Sequence, residues 1–121
     1  MYYKNLEAWK EAIKLVKQIY LITKQFPKEE LYGLTSQIRR AVISIPSNIA
    51  EGMSRYSDSD KSRFIDIALG SIAEVETQLI IAQELKFIED INEVELSINK
   101  TNALIIGLKK YLNKDKKELI T

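Results

Sequence analysis

Glu51 and Glu74 are carboxylates that fall among other polar side chains at helical spacing. Paired carboxylates can do acid and base work when a second group of matched pKa completes the site. Neither glutamate has a histidine, a lysine or another obvious catalytic group at a fixed spacing from it. The 121 residues contain no histidine and no cysteine. That removes the commonest general base and metal ligand, the thiolate nucleophile, the disulfide and Cys-ligated zinc. A di-iron bundle would want Glu-x-x-His twice, which histidine's absence forbids. No catalytic residue, metal or cofactor is therefore expected, and the chain reads as a non-enzyme.

The same region does hold a polar seam. Gln37, Ser44 and Asn48 lie beside an apolar stripe, with Arg40, Ser47 and Glu51 one step further round, and Ser71, Glu74 and Gln78 answer from a later segment. Glu74 shares its angle on a helical wheel with Ile67, Ile81 and Leu85, so its carboxylate is expected in an apolar sector, where it would need a partner. Arg40 or Arg39 is the expected counter-ion, with Asn48 or Gln37 taking up the remaining donors and acceptors. The seam is either a buried hydrogen-bond network that fixes helix register or a ligand or catalytic site. The first reading is preferred, because polar seams in bundles commonly have a structural role.

The elements that must position these residues are helical. Four glycines, two prolines and 45% hydrophobic residues argue against long disorder and against turn-rich β architectures, and the length suits one domain. Helix one is predicted over 5–26, from Asn5 as N-cap to a stop at Pro27, on the spacing of Leu6, Trp9, Ile13, Val16 and Tyr20. Helix two is predicted over 31–53, closing at Gly52 or just after it. Pro46 lies inside it and should either kink it near Ser44 or split it in two. Helix three is predicted over 58–87 with Ser57 or Ser59 as N-cap, and helix four over 91–112, leaving a frayed tail at 113–121. Short connections favour an all-α, antiparallel up-down-up-down four-helix bundle.

Helix one carries a second apolar stripe, Ala8, Ala12, Leu15, Ile19 and Ile22, beside the first. Lys10, Lys14, Lys17 and Lys24 share the remaining, solvated arc with Glu7, Glu11 and Gln18. A large exposed apolar patch is unusual on a monomer. The second stripe is therefore read as an interface of a homo-oligomer, unless helix four or the tail folds across it. No signal peptide or membrane span is apparent, so a cytoplasmic protein is expected. The net charge is +1, but residues 1–27 carry five Lys against two Glu, while 58–90 carry three basic and eight acidic residues. Nucleic-acid binding would have to use a local patch.

The run Gln37-Ile38-Arg39-Arg40-Ala41-Val42-Ile43-Ser44-Ile45-Pro46-Ser47-Asn48-Ile49-Ala50-Glu51-Gly52 resembles the signature of the 23S rRNA intervening-sequence protein family, also called the four helix bundle proteins. The resemblance extends to Leu6-Glu7-Ala8-Trp9, to Phe26-Pro27 with Tyr32-Gly33-Leu34, and to the stretch from Ile67 to Leu79, covering about residues 1–88. It implies a small antiparallel four-helix bundle that assembles as a ring-like homopentamer. Members are often encoded by insertions within ribosomal RNA genes. Proteins of similar fold serve as accessory factors of diversity-generating retroelements, where a basic pentamer engages nucleic acid.

Two functions follow. One is a homo-oligomeric RNA or DNA binder using Lys10, Lys14, Lys17, Arg55, Lys109, Lys110 and Lys114, with Lys116 and Lys117 in the tail, and with Tyr2, Tyr3 and Tyr56 available to stack on bases. The other is a scaffold that recruits an unidentified protein partner without binding nucleic acid, in which these lysines are ordinary solvated faces.

Overall fold

The computed structural model describes the backbone of residues 2–120 and the side chains of residues 2–114. Four helices form it: α1 (Glu7–Thr23), α2 (Leu34–Met53), α3 (Asp58–Glu84) and α4 (Asn92–Ile120). Single 3-10 turns at Tyr3–Asn5 and Lys28–Glu30 precede α1 and α2. No strand occurs among the described residues.

The helix ends show what the side-chain pattern leaves open. Asn5 does not cap α1. Its N–H and that of Leu6 close a 3-10 turn onto Tyr2 and Tyr3, and Leu6 is the N-cap. The α1 end tightens into i to i−3 bonds from Lys24, Gln25 and Phe26 before Pro27. Helix α2 starts at Leu34, three residues after the predicted start, because the Glu30 carboxylate accepts the Leu34 N–H at 3.1 Å. It then runs unbroken through Pro46, so the proline does not split it. Ser57 caps α3, its hydroxyl accepting the Asp60 N–H at 3.1 Å.

Helix α3 ends in a Schellman motif: Phe87 N–H bonds to Ala82 O and Lys86 N–H to Gln83 O, with Lys86 at φ 62°. Helix α4 continues past the expected stop at 112 to Ile120, in place of a frayed tail, and Thr101 fills the gap in its buried stripe between Ile98 and Ile105. The side chains of Lys116 and Lys117 lie outside the described residues.

Each helix packs on its two chain neighbours in a closed circuit, α1 on α2, α2 on α3, α3 on α4 and α4 on α1, with no diagonal contact. The α2–α3 pair is the most extensive. Gly52 explains part of this: a Cβ there would lie 3.0 Å from Phe64 Cβ and 3.2 Å from Lys61 O. The glycine sits inside α2 at negative φ and serves close helix approach, not the C-terminal role expected of it.

The core overturns one expectation. Ala8, Ala12, Leu15 and Ile19, read as an oligomer interface, are buried inside the chain's own bundle, and Ile22 is half-buried against it. Helix α1 occupies a corner and must pack on both α2 and α4, so both its apolar stripes are used. The stripe with two alanines faces the bundle axis. The bulkier stripe of Trp9, Ile13 and Val16 lies half-buried along α2.

Candidate functional site

The seam between α2 and α3 is a chain of hydrogen bonds. Asn48 Nδ2 donates to Ser44 O and to Ser44 Oγ, both at 2.8 Å. Ser44 Oγ lies 2.8 Å from Ser71 Oγ, and Ser71 Oγ donates to Ile67 O at 3.1 Å. Either hydroxyl can be the donor between the two serines. The buried Ser71 is thereby satisfied, as a buried hydroxyl should be. None of these three side chains titrates near neutral pH, so the chain links α2 to α3 through neutral groups.

The charged members of the seam lie elsewhere. Glu74 and Arg40 are both exposed, and no ion pair joins Glu74 to Arg39 or Arg40 among the described residues. The expected buried pair is absent because the Ile67, Ile81 and Leu85 sector is itself on the outer surface, where a carboxylate is solvated. Arg39 turns the other way, donating from Nε to Thr23 Oγ1 at 2.9 Å and lying 4.6 Å from the Tyr20 ring centre. Glu51 pairs with Arg55 at 2.6 Å, one turn along its own helix. Gln37, Arg40, Glu74 and Gln78 line an open groove above the serine chain, and Gln78 Oε1 is buried without a hydrogen-bond partner among the described residues.

The buried carboxylate is Glu11, which the wheel placed on the solvated arc of helix one. It is 7% exposed and accepts from Lys14 at 3.3 Å and from Lys100 of α4 at 3.2 Å. Burial works to raise its pKa, but the hydrogen bonds and charges of Lys100 and Lys14 together outweigh burial and hold the carboxyl below the ordinary value. An acid at one edge of a basic arc, facing the next helix, is the signal that could have singled it out.

Of the basic residues read as nucleic-acid contacts, Lys10 pairs with Glu7, Lys14 with Glu11, Arg55 with Glu51 and Lys109 with Asp66. Lys17, Lys110 and Lys114 are exposed and have no ion-pair partner among the described residues. The Lys109–Asp66 pair and the Ser62–Asn113 hydrogen bond align the closing turns of α4 with the start of α3. One end of the bundle therefore gathers the chain's beginning, the α2–α3 loop and the α4 turn at Lys110. Tyr2, Tyr56 and Tyr111 are exposed there, close in sequence to Lys4, Arg55, Lys110 and Lys114. Tyr3 instead packs edge-to-face against Trp9, ring centres 5.6 Å apart. Tyr111 was not among the expected stacking residues, although it falls out of phase with the buried Leu108 and Leu112.

The family model of the 23S rRNA-intervening sequence protein matches residues 4–107 of the chain. The chain belongs to the 23S rRNA-intervening sequence protein family. The matched span takes in α1, α2, α3 and the first half of α4, and with them the whole serine and asparagine chain. Lys109, Lys110, Tyr111 and Lys114 lie beyond it, so the exposed α4 turn is outside what the 23S rRNA-intervening sequence protein model covers. No curated protein matches the chain. No helix among the described residues is long and apolar enough to cross a membrane, and no group of three or more potential metal-ligating acids comes together among them.

Proposed function

We propose that this chain is a non-enzymatic, homo-oligomeric bundle, pentameric as the family resemblance implies, that holds RNA or another nucleic acid against one end. The observation that carries the reading is that exposed Tyr2, Tyr56 and Tyr111 fall at the same end of the bundle as Lys110 and Lys114, which have no ion-pair partner among the described residues. Tyrosine faces stack on any base, and neighbouring cations follow the phosphates, which is the chemistry of sequence-tolerant single-strand binding. A few such contacts per chain bind weakly, but cyclic repetition multiplies them on one particle. The lysine arc of α1 plays a smaller part in this reading, because Lys10 and Lys14 already have carboxylate partners.

The test is anisotropy of labelled single-stranded RNA and duplex DNA at about 50 and about 200 mM salt, the range in which phosphate contacts weaken steeply. Saturable binding that falls with salt and is reduced at least tenfold by joint Lys110→Gln and Lys114→Gln substitution supports the reading. No binding at the lower salt would overturn it and leave the protein-recruiting scaffold in its place.

A further inference from the structure

Arg39 is held in place by contacts that leave most of its donors unused. Its Nε donates to Thr23 Oγ1 at 2.9 Å, and its guanidinium carbon lies 4.6 Å from the Tyr20 ring centre. Thr23 is itself buried and anchored, its hydroxyl donating back to the carbonyls of Ile19 and Tyr20 at 2.8 and 3.2 Å. These contacts orient the guanidinium through one of its five N–H donors. Neither Nη has a hydrogen bond or an ion pair among the described residues.

A cationic side chain at a helix end can serve the last carbonyls, but at the end of α1 they already have donors. The carbonyls of Leu21, Ile22 and Thr23 accept from the N–H groups of Lys24, Gln25 and Phe26, and those of Ile19 and Tyr20 from the Thr23 hydroxyl. Nor does a carboxylate answer the charge. Residues 16–24 around Tyr20 and residues 35–43 around Arg39 hold Lys17, Lys24, Arg39 and Arg40 and no Asp or Glu. Glu30, the acid nearest in sequence to the start of α2, accepts the Leu34 N–H instead. Lys17 and Lys24 are exposed and lie three and four positions from Tyr20, so they border it on the α1 surface. Neither has an ion-pair partner among the described residues.

A guanidinium oriented in advance, with its outer donors free, is the protein's half of a bidentate oxyanion contact. Because the side chain is already ordered, little rotamer freedom remains to be lost on binding. A single carboxylate would neutralise only one of the four positive charges. A phosphate group brings up to two negative charges and three acceptor oxygens, and so matches the surplus better. The place is also separate from the tyrosine-rich end. Arg39 lies in the second turn of α2, whose last residue, Met53, is ~21 Å further along the helix.

We propose that Arg39, positioned by Thr23 and Tyr20 and flanked by Lys17 and Lys24, binds a phosphate group. The phosphate belongs to a free phosphorylated small molecule or to a nucleic-acid strand, which share the chemistry that this site reads.

Nitrogen-15 NMR of the Arg39 Nε–H during titration with sodium phosphate, at an ionic strength held constant with chloride, tests the site. The expected result is a saturable shift with a midpoint of about 1–10 mM, in the range of a few charge-assisted bonds, and no such shift with acetate. Joint Lys17→Gln and Lys24→Gln substitution, at exposed positions, should weaken the midpoint by roughly threefold or more while leaving the thermal melt unchanged. No saturable shift, an equal shift with acetate, or a midpoint indifferent to the two lysines would overturn the proposal. Short RNA strands with and without a 5′-phosphate then identify the source. A shift with both strands supports a backbone phosphate, with the phosphorylated strand alone a strand end, and with neither a small phosphorylated molecule. Inorganic phosphate is the primary probe, so failure of the nucleic-acid reading above leaves a positive result standing.

Discussion

Lys100 on α4 reaches Glu11 on α1 with Nζ 3.2 Å from Oε1, and Lys14 approaches the same oxygen at 3.3 Å. The carboxylate is buried while both ammonium groups remain mostly in water, so this link crosses the α1–α4 seam at the cost of desolvating one ion. Because the Glu11 pKa is lowered on folding, the ionised form favours the folded state. That contribution is fully present above the unfolded value, near 4.5, and is lost as pH falls through the depressed folded value. Glu11→Gln should therefore be less stable than the wild type at pH 7 by about 1 kcal/mol, with the gap narrowing below about pH 4.5. Denaturant midpoints of both proteins across pH 3 to pH 7 measure it; a constant gap would mean that the charge contributes nothing.

Gly52→Ala separates two opposed effects by sign. Alanine favours a helix interior by about 1 kcal/mol over glycine. Its Cβ, however, would sit 3.0 Å from Phe64 Cβ and 3.2 Å from the Lys61 carbonyl, neither of which is a flexible chain end. The expected outcome is a net loss of about 1–3 kcal/mol as α2 and α3 are pushed apart. A thermal melt that rises would show that the helices yield easily.

Lys86→Gly should act in the opposite direction. Lys86 holds φ at 62° in the Schellman turn after α3, a conformation that costs a side-chain-bearing residue about 1 kcal/mol or more. Glycine relieves that strain while enlarging the unfolded ensemble, so a gain of about 0.5–1 kcal/mol in urea unfolding is expected.

The serine chain predicts a contrast between two seam residues. Asn48→Asp removes the donor that serves both Ser44 O and Ser44 Oγ and sets a carboxylate against a carbonyl oxygen, for an expected loss of about 1–3 kcal/mol. Glu74→Ala, at an exposed position, should stay within about 0.5 kcal/mol of the wild type. Matched chemical denaturation of the pair would show whether the seam's stability resides in the neutral network or in the charge.

Much of the bundle is legible before any coordinates are seen. The stripe of Ile91, Val94, Ile98, Ile105, Leu108 and Leu112 is buried as its period requires, and Ser57 is the cap where a serine precedes an apolar run. Helix period depends on backbone geometry, which is local, and so is the capping of a free N–H. Pro27 likewise bounds the first helix, since no proline can donate back into the preceding turn.

What the period could not specify is where each stripe points once the helices meet. Both stripes of α1 are apolar, and only the corner position between α2 and α4 decided that Ala8, Ala12, Leu15 and Ile19 face the axis while Trp9 and Ile13 border a groove. The same contacts put Glu11 under Lys100, left Glu74 in water and turned Arg39 onto Tyr20. The sequence by itself determined four helices, their order and their apolar faces, because those follow from spacing along one chain. Only the tertiary structure decided which polar groups are buried and which apolar surface is left over, because burial depends on neighbours that are distant in sequence.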